Sequence, residues 1–254
     1  MEEIYLDNSA TTRVCEKSAE KVLELMTQCY GNPSSLHKKG LEAQREVAHA
    51  RQAVAVSLGA QPREIIFTSG GTEANNLAVL GGAAAGRRRG KRIVTTAIEH
   101  PSVLEPMRQL EKEGFEVVFL TPDADGRVPE EAVLKAVTGD TILISVMAVN
   151  NELGSIQPIE VLKKAVKRAG APALVHVDGV QAYGKLPLRP EKLGIDLLTV
   201  SGHKIHGPKG VGALYVSKNA RILPRTFGGG QERELRPGTE AVSYTHLRAH
   251  ETDQ

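Results

Sequence analysis

EIIFTSG (64–70), TEANNLAVLGG (72–82), RIVTTAIEH (92–100), PSVLEPMRQLEKEG (101–114) and EVVFL (116–120) follow one another in the middle of the chain. Short β-branched runs alternate here with segments long enough for helices, which is the rhythm of βαβ units and a parallel sheet. Toward the C-terminus the pattern continues with a helix around PEEAVLKAV (129–137), a strand ILISVMAV (142–149), a helix carrying Ile159, Leu162, Val166 and Ala169, and a strand ALVHVD (173–178). Two more strands, DLLTVS (196–201) and GALYV (212–216), are joined by GHKIHGPKGV (202–211), too short for a crossover helix. A hairpin fits that spacing, so one antiparallel strand is expected in an otherwise mostly parallel sheet.

Toward the N-terminus, Val47, Ala50, Val54 and Leu58 form the stripe of a helix that Gly59 stops, and GNPSS (31–35) is a turn. Before it, Ala19, Val22, Leu23, Met26, Cys29 and Tyr30 share one face of a predicted helix starting near Lys17, and YLDNSATT (5–12) opens the chain in extended form. AAAGRRRGKR (83–92) reads as a solvated turn before a strand. The tail AVSYTHLRAHETDQ (241–254) is polar, His-rich and without period, and is expected to stand outside the fold. The expected organisation is an N-terminal arm at 1–16, one large α/β domain at 17–240 and this atypical tail.

Composition narrows the function. The 254 residues hold 32 Lys plus Arg against 30 Asp plus Glu, a net charge of +2, without the basic excess of a nucleic-acid binder. Aromatics are 4% of residues with no Trp, so single-strand stacking has little material. The two cysteines, Cys15 and Cys29, cannot build a disulfide scaffold or a four-ligand zinc site, and a reducing, cytoplasmic compartment is expected. MEEIYLDNSA has neither the basic nor the apolar region of a secretory signal, and no window reaches 18 apolar residues, so no membrane role is expected.

The candidate residues cluster at predicted strand ends, where open α/β sheets collect ligands. FTSGGTEANN runs a strand through Ser69, Gly70 and Gly71 into a helix near Thr72. Free N–H groups and the helix dipole there suit a phosphate; Thr72 as a plain N-cap is the alternative, and no GK[ST] follows to make a P-loop. Asp178 ends the apolar run ALVHV. If buried it demands a positive partner, and otherwise it is an exposed turn residue. Ser201, His203 and Lys204 end DLLTV between glycines, where a lysine beside apolar strands can expose a free amine to a carbonyl. His203 and His206 could suggest a metal pair, but they lack the i, i+4 spacing of a metalloprotease helix and nearby acidic ligands. His100 closes a strand before a helix, either structurally or as a ring that stacks and moves protons. Together, an anion cradle, a carboxylate, an amine and an imidazole match the needs of a phosphorylated pyridine aldehyde.

YLDNSATT, GNPSSLH (31–37), FTSGGTEANNLA (67–78), EHPSVL (99–104), VNNELGSIQPI (149–159), HVDGVQAYGKLP (176–187), SGHKIHGPKGVGALYV (201–216) and GGGQERELRPGT (228–239) resemble, in order, the motifs of the cysteine desulfurases. These are class V aminotransferase-like enzymes that use pyridoxal 5'-phosphate. The resemblance covers nearly all of residues 4–240 and implies the three-layer large domain of fold-type-I enzymes, with the C-terminal small domain largely absent from these residues. It implies Lys204 as the Schiff-base lysine, Asp178 as partner of the ring nitrogen and Gln181 as donor to the phenolate oxygen. His100 would stack on the ring and assist proton transfer, and Asn151 would lie beside cofactor and substrate. Gly71, Thr72, Ser201 and His203 would hold the phosphate, joined by Thr239 of a second subunit. The implied reaction takes sulfur from L-cysteine, leaving L-alanine and an enzyme persulfide for iron–sulfur or thio-cofactor assembly, with a sulfur-acceptor or scaffold protein and a homodimer as partners. A selenocysteine lyase or cysteine sulfinate-type lyase, or a cofactor-binding fragment without turnover, are the alternatives. The family's nucleophilic cysteine and carboxylate-binding arginine lie in a C-terminal region without counterpart here, so turnover is expected to be impaired. Cys29, on the helix stripe, and Cys15, just before it, are read as structural.

Overall fold

The sheet is built from pairs of adjacent residues that face opposite ways. In the computed structural model, which describes residues 4–243, the strands are β1 (Ile65–Thr68), β2 (Arg92–Thr96), β3 (Glu116–Leu120), β4 (Thr141–Met147), β5 (Leu174–Asp178), β6 (Leu197–Ser201) and β7 (Gly212–Val216). They form one sheet in the order β1-β7-β6-β5-β4-β2-β3. β7 runs antiparallel to both neighbours and every other pairing is parallel, as the short β6–β7 connection predicts.

Leu143, Leu174, Leu197 and Leu214 point to one face, and Ile144, Val175, Leu198 and Ala213 to the other. The strands therefore read as continuous apolar runs because both faces are covered. One face packs on α3 (Gly71–Gly86) and α4 (Pro101–Lys112), the other on α2 (Lys38–Leu58), α5 (Glu130–Ala136) and α6 (Glu160–Ala169). This is a three-layer α/β architecture. Val47, Ala50, Val54 and Leu58 are all buried, and Gly59 caps α2 with φ 65°, a left-handed turn that glycine adopts without a Cβ penalty.

α1 (Glu16–Thr27) departs from the expected face. Leu25 and Ser18 are buried, whereas Leu23 and Met26 are 64% and 53% exposed. Cys29 and Tyr30 lie beyond the helix end, so Cys29 is not on its stripe. Periodicity marks an amphipathic face but carries no information about what covers it. Of the tail, Val242 is buried against the core, and Tyr244 onward lies outside the described residues.

The extended arm before α1 returns to the turn after β6. The Thr12 N–H donates to the His203 carbonyl at 2.8 Å, the Cys15 N–H to the His206 carbonyl at 3.0 Å, and the His206 N–H to Thr12 Oγ1 at 2.7 Å. No helix among the described residues is long and apolar enough to cross a membrane.

Candidate active site

The C-terminal ends of β1, β2, β4, β5 and β6 open into one cavity of about 470 Å³. Parallel strands deliver their C-terminal ends to one edge, so residues far apart in sequence meet there. Gly71, Thr72, His100, Asn151, Asp178, Gln181, Ser201, His203 and Lys204 all line it. Thr239 does not; it is exposed on the loop at 228–240.

At the β1 end, Gly70 takes φ 152° and caps α3, which starts at Gly71. Thr72 is thus inside the first turn and is not the N-cap. The turn is drawn against β7: a Cβ on Gly212 would fall 2.7 Å from the Gly70 Cα. Gly71 and Thr72 of the first turn of α3 line the cavity together with Ser201, whose hydroxyl oxygen is buried without a hydrogen-bond partner among the described residues.

At the β2 end His100 caps α4, with Pro101 at the first helical position, and its Nδ1 accepts from the Ser102 N–H at 3.1 Å. Preceding it, Glu99 is buried, with Oε1 accepting from Thr96 Oγ1 at 2.7 Å and the Met147 N–H at 2.8 Å. Burial pushes its carboxyl up to about 8, against those two hydrogen bonds.

Asp178 is buried at 5% exposure, so the exposed-turn alternative does not hold. Its Oδ1 accepts from the Val180 N–H at 2.9 Å and its Oδ2 from Asn75 Nδ2 at 2.8 Å, and among the described residues it has no ion pair. Burial raises its pKa, opposed by those two donors and by the charges of His100 and Lys204. Below it on β5, His176 is bonded to Ser145 Oγ at 2.8 Å and Thr199 Oγ1 at 3.1 Å, and burial pushes it down to about 3.

Lys204 sits in a 3-10 turn, Gly202–Lys204. Its Nζ donates to the carbonyls of Ser9 and Ala10, the latter at 2.8 Å. Burial lowers its pKa and the Lys185 charge adds to that, while Asp7 and Asp178 oppose it. His203 is lowered by burial and by Lys204 and Lys209. Gln181 Nε2 donates to the Ser9 carbonyl at 2.9 Å, and Asn151 Nδ2 to Glu152 Oε1 at 2.7 Å.

Composition and motif reasoning assigned no part to the arm residues Asp7, Ser9 and Ala10, or to Asn75 and Ser102, which also line the cavity. YLDNSATT entered only as an extended opening and as one of the resembling motifs, and nothing local marks Asn75 apart from its helix neighbours. Cys15 and Cys29 are half-buried and line no part of the cavity; Cys15 Sγ donates to Ser18 Oγ at 3.2 Å, and burial raises the Cys29 thiol. No group of three or more His, Cys, Asp or Glu that could hold a metal occurs among the described residues.

Residues 4–248 match the model of the family described as aminotransferase class-V. The chain belongs to that family. It is 46% identical over 241 residues to cysteine desulfurase IscS of Dictyoglomus turgidum, covering 95% of this chain and 61% of the relative. With the IscS cysteine desulfurase of Serratia proteamaculans the identity is 47% over 244 residues, covering 94% of this chain and 60% of that one. The family member thus spans about three fifths of the length of the curated relatives it matches. Among solved structures, a NifS-like protein superposes with TM-score 0.94 at 45% identity, over 97% of this chain and 68% of that one. SspA, solved in complex with cysteine, gives TM-score 0.91 at 38% identity, over 96% and 71% of the two chains.

Proposed function

We propose that this chain is the pyridoxal-phosphate-binding part of a cysteine desulfurase, acting on L-cysteine to give L-alanine and a persulfide. The observation that carries the reading is one cavity holding Lys204, the buried Asp178 carboxylate and the α3 N-terminus. The cavity also fits the group chemically. Among the described residues Asp178 is a buried carboxylate without an ion pair and Ser201 Oγ a buried hydroxyl without a partner, and the first turn of α3 offers N–H donors. A cationic ring nitrogen would answer the first and a phosphate the other two.

Gly71, Thr72, Ser201 and His203 would hold the phosphate, Asp178 the ring-nitrogen proton, Gln181 the phenolate oxygen and His100 one ring face, with Asn151 beside the substrate. Bound there, pyridoxal phosphate supplies an electrophilic carbonyl carbon and an electron-withdrawing ring. Lys204 Nζ, its ammonium destabilised by burial, is the nucleophilic amine and the base for the substrate α-proton. Asp178 keeps the proton on the ring nitrogen because an ionised carboxylate beside that nitrogen favours its cationic form. Sulfur removal further requires a thiolate, and neither Cys15 nor Cys29 reaches the cavity. On this reading, the remaining partners are a sulfur acceptor or scaffold protein in the cytoplasm and a second copy of the chain contributing Thr239.

The test separates amine chemistry from sulfur transfer. Loaded with pyridoxal phosphate in D2O, the chain should exchange the α-hydrogen of L-cysteine, followed by NMR, and Lys204→Ala should lose that exchange. L-Cysteine carries a thiol of its own, so alanine should stay at the level that free L-cysteine supports and rise only when a further nucleophilic thiol is supplied. A loaded chain that exchanges no amino-acid α-hydrogen would overturn the assignment.

A further inference from the structure

Asn75 and Ser102 are both buried, at 1% and 8% exposure, and stand between the two groups proposed to flank the ring, Asp178 and His100. The direction of every hydrogen bond between them follows from one backbone group. The Ser102 N–H can only donate, and it meets His100 Nδ1 at 3.1 Å, so Nδ1 carries a lone pair. The neutral imidazole then holds its proton on Nε2. The Ser102 hydroxyl, 2.8 Å from the same Nδ1, must therefore also be a donor, and its oxygen is left to accept. It accepts from Asn75 Nδ2 at 2.9 Å, and the second hydrogen of that amide goes to Asp178 Oδ2 at 2.8 Å. Asn75 Oδ1 is buried with no partner among the described residues, so its two donations set the amide's orientation.

We infer that Asn75 and Ser102 are positioning residues: a directional hydrogen-bond bridge that reinforces the Nε2–H tautomer set by the Ser102 N–H and ties the imidazole to the Asp178 carboxylate. The two groups are thereby held as one unit. The bridge crosses from α3 to α4, joining the ring-stacking and nitrogen-pairing positions through side chains that touch neither reacting atom. The tautomer is a property of this chain alone; the benefit for cofactor binding rests on the function proposed above.

The experiment has an arm for each part. In cofactor-free protein labelled with ¹⁵N-histidine at about pH 8, above the ordinary histidine pKa, a long-range ¹H–¹⁵N spectrum assigned through His100→Gln reports the tautomer directly. Nδ1 of His100 should resonate as an unprotonated nitrogen in the wild type and in Ser102→Thr, which keeps the hydroxyl. In Ser102→Ala the backbone N–H still holds the Nε2–H tautomer, but Nδ1, relieved of the hydroxyl's donation, should shift toward the value of a less hydrogen-bonded unprotonated nitrogen, and Asn75→Ala should move it the same way by less. In the second arm each single alanine substitution should weaken pyridoxal-phosphate binding about three- to tenfold, the net worth of one hydrogen bond, and the double substitution no more than a single one. A proton on Nδ1 in the wild type, an Nδ1 resonance that does not move in Ser102→Ala, or losses that add in the double variant, overturns the bridge. Should the wild type fail to bind pyridoxal phosphate, the function falls and the tautomer arm alone decides the bridge.

Discussion

Lys204 Nζ donates to the Ala10 carbonyl at 2.8 Å, so the amine proposed for the chemistry is held by a segment 194 residues away in sequence. These carbonyls favour the ammonium form that burial disfavours. A neutral amine keeps two N–H donors for these carbonyls but donates more weakly than the ammonium, so the arm both orders the lysine and resists its activation.

That tether depends on Thr12, whose buried hydroxyl donates to the His203 carbonyl at 3.0 Å and accepts from the His206 N–H. Thr12→Val leaves the part-buried His206 N–H without this acceptor and should cost about 1 kcal/mol in chemical denaturation. It should also weaken cofactor binding, whereas Thr11→Val, whose hydroxyl contacts are longer at 3.3–3.5 Å, should change both far less.

Asp178 sets stability against binding. Its folded pKa is raised by burial, so its contribution is fully present below the unfolded carboxyl pKa and is lost as pH rises through the folded value. Above that value the ionised group burdens the cofactor-free fold. Asp178→Asn should therefore raise the melting temperature of cofactor-free protein while weakening pyridoxal-phosphate binding. A variant that melts lower and binds as well as the wild type would contradict both halves.

The fold was largely legible because every strand but the edge strand β3 is a short run buried on both faces, and because Gly59 ends α2 where its φ of 65° demands. The strand ends that carry Asp178, Ser201 and His203 were legible for the same reason: parallel strands bring them to one edge. Long-range return of the arm was not, since the Lys204–Ala10 contact has no local signature. The exposed stripe of α1 misled because amphipathic period is a property of the helix, and burial is a property of its neighbours. Asn75 was hidden inside a helix pattern, where only the facing Asp178 and Ser102 give it meaning.

Glu99 gives a separable pH signature. With a folded pKa of about 8 against 4.5, the folded state holds a proton that the unfolded state gives up, so stability falls as pH rises from about 4.5 through 8. The loss approaches about 5 kcal/mol at its upper limit. Glu99→Gln keeps the acceptor for Thr96 and the Met147 N–H, and should flatten that part of the profile. Equal pH slopes for wild type and variant, from urea unfolding across this range, would show that Glu99 ionises normally.

The central claim is that Lys204 forms a covalent bond to the cofactor's carbonyl carbon in this cavity. It is tested most directly by the visible absorbance of the chain after pyridoxal phosphate is added and the excess removed, beside Lys204→Ala. A band in the wild type that borohydride abolishes, fixing the cofactor to the peptide bearing Lys204, is the predicted result. A wild type and a Lys204→Ala variant with the same spectrum, or label fixed to another lysine, would contradict it.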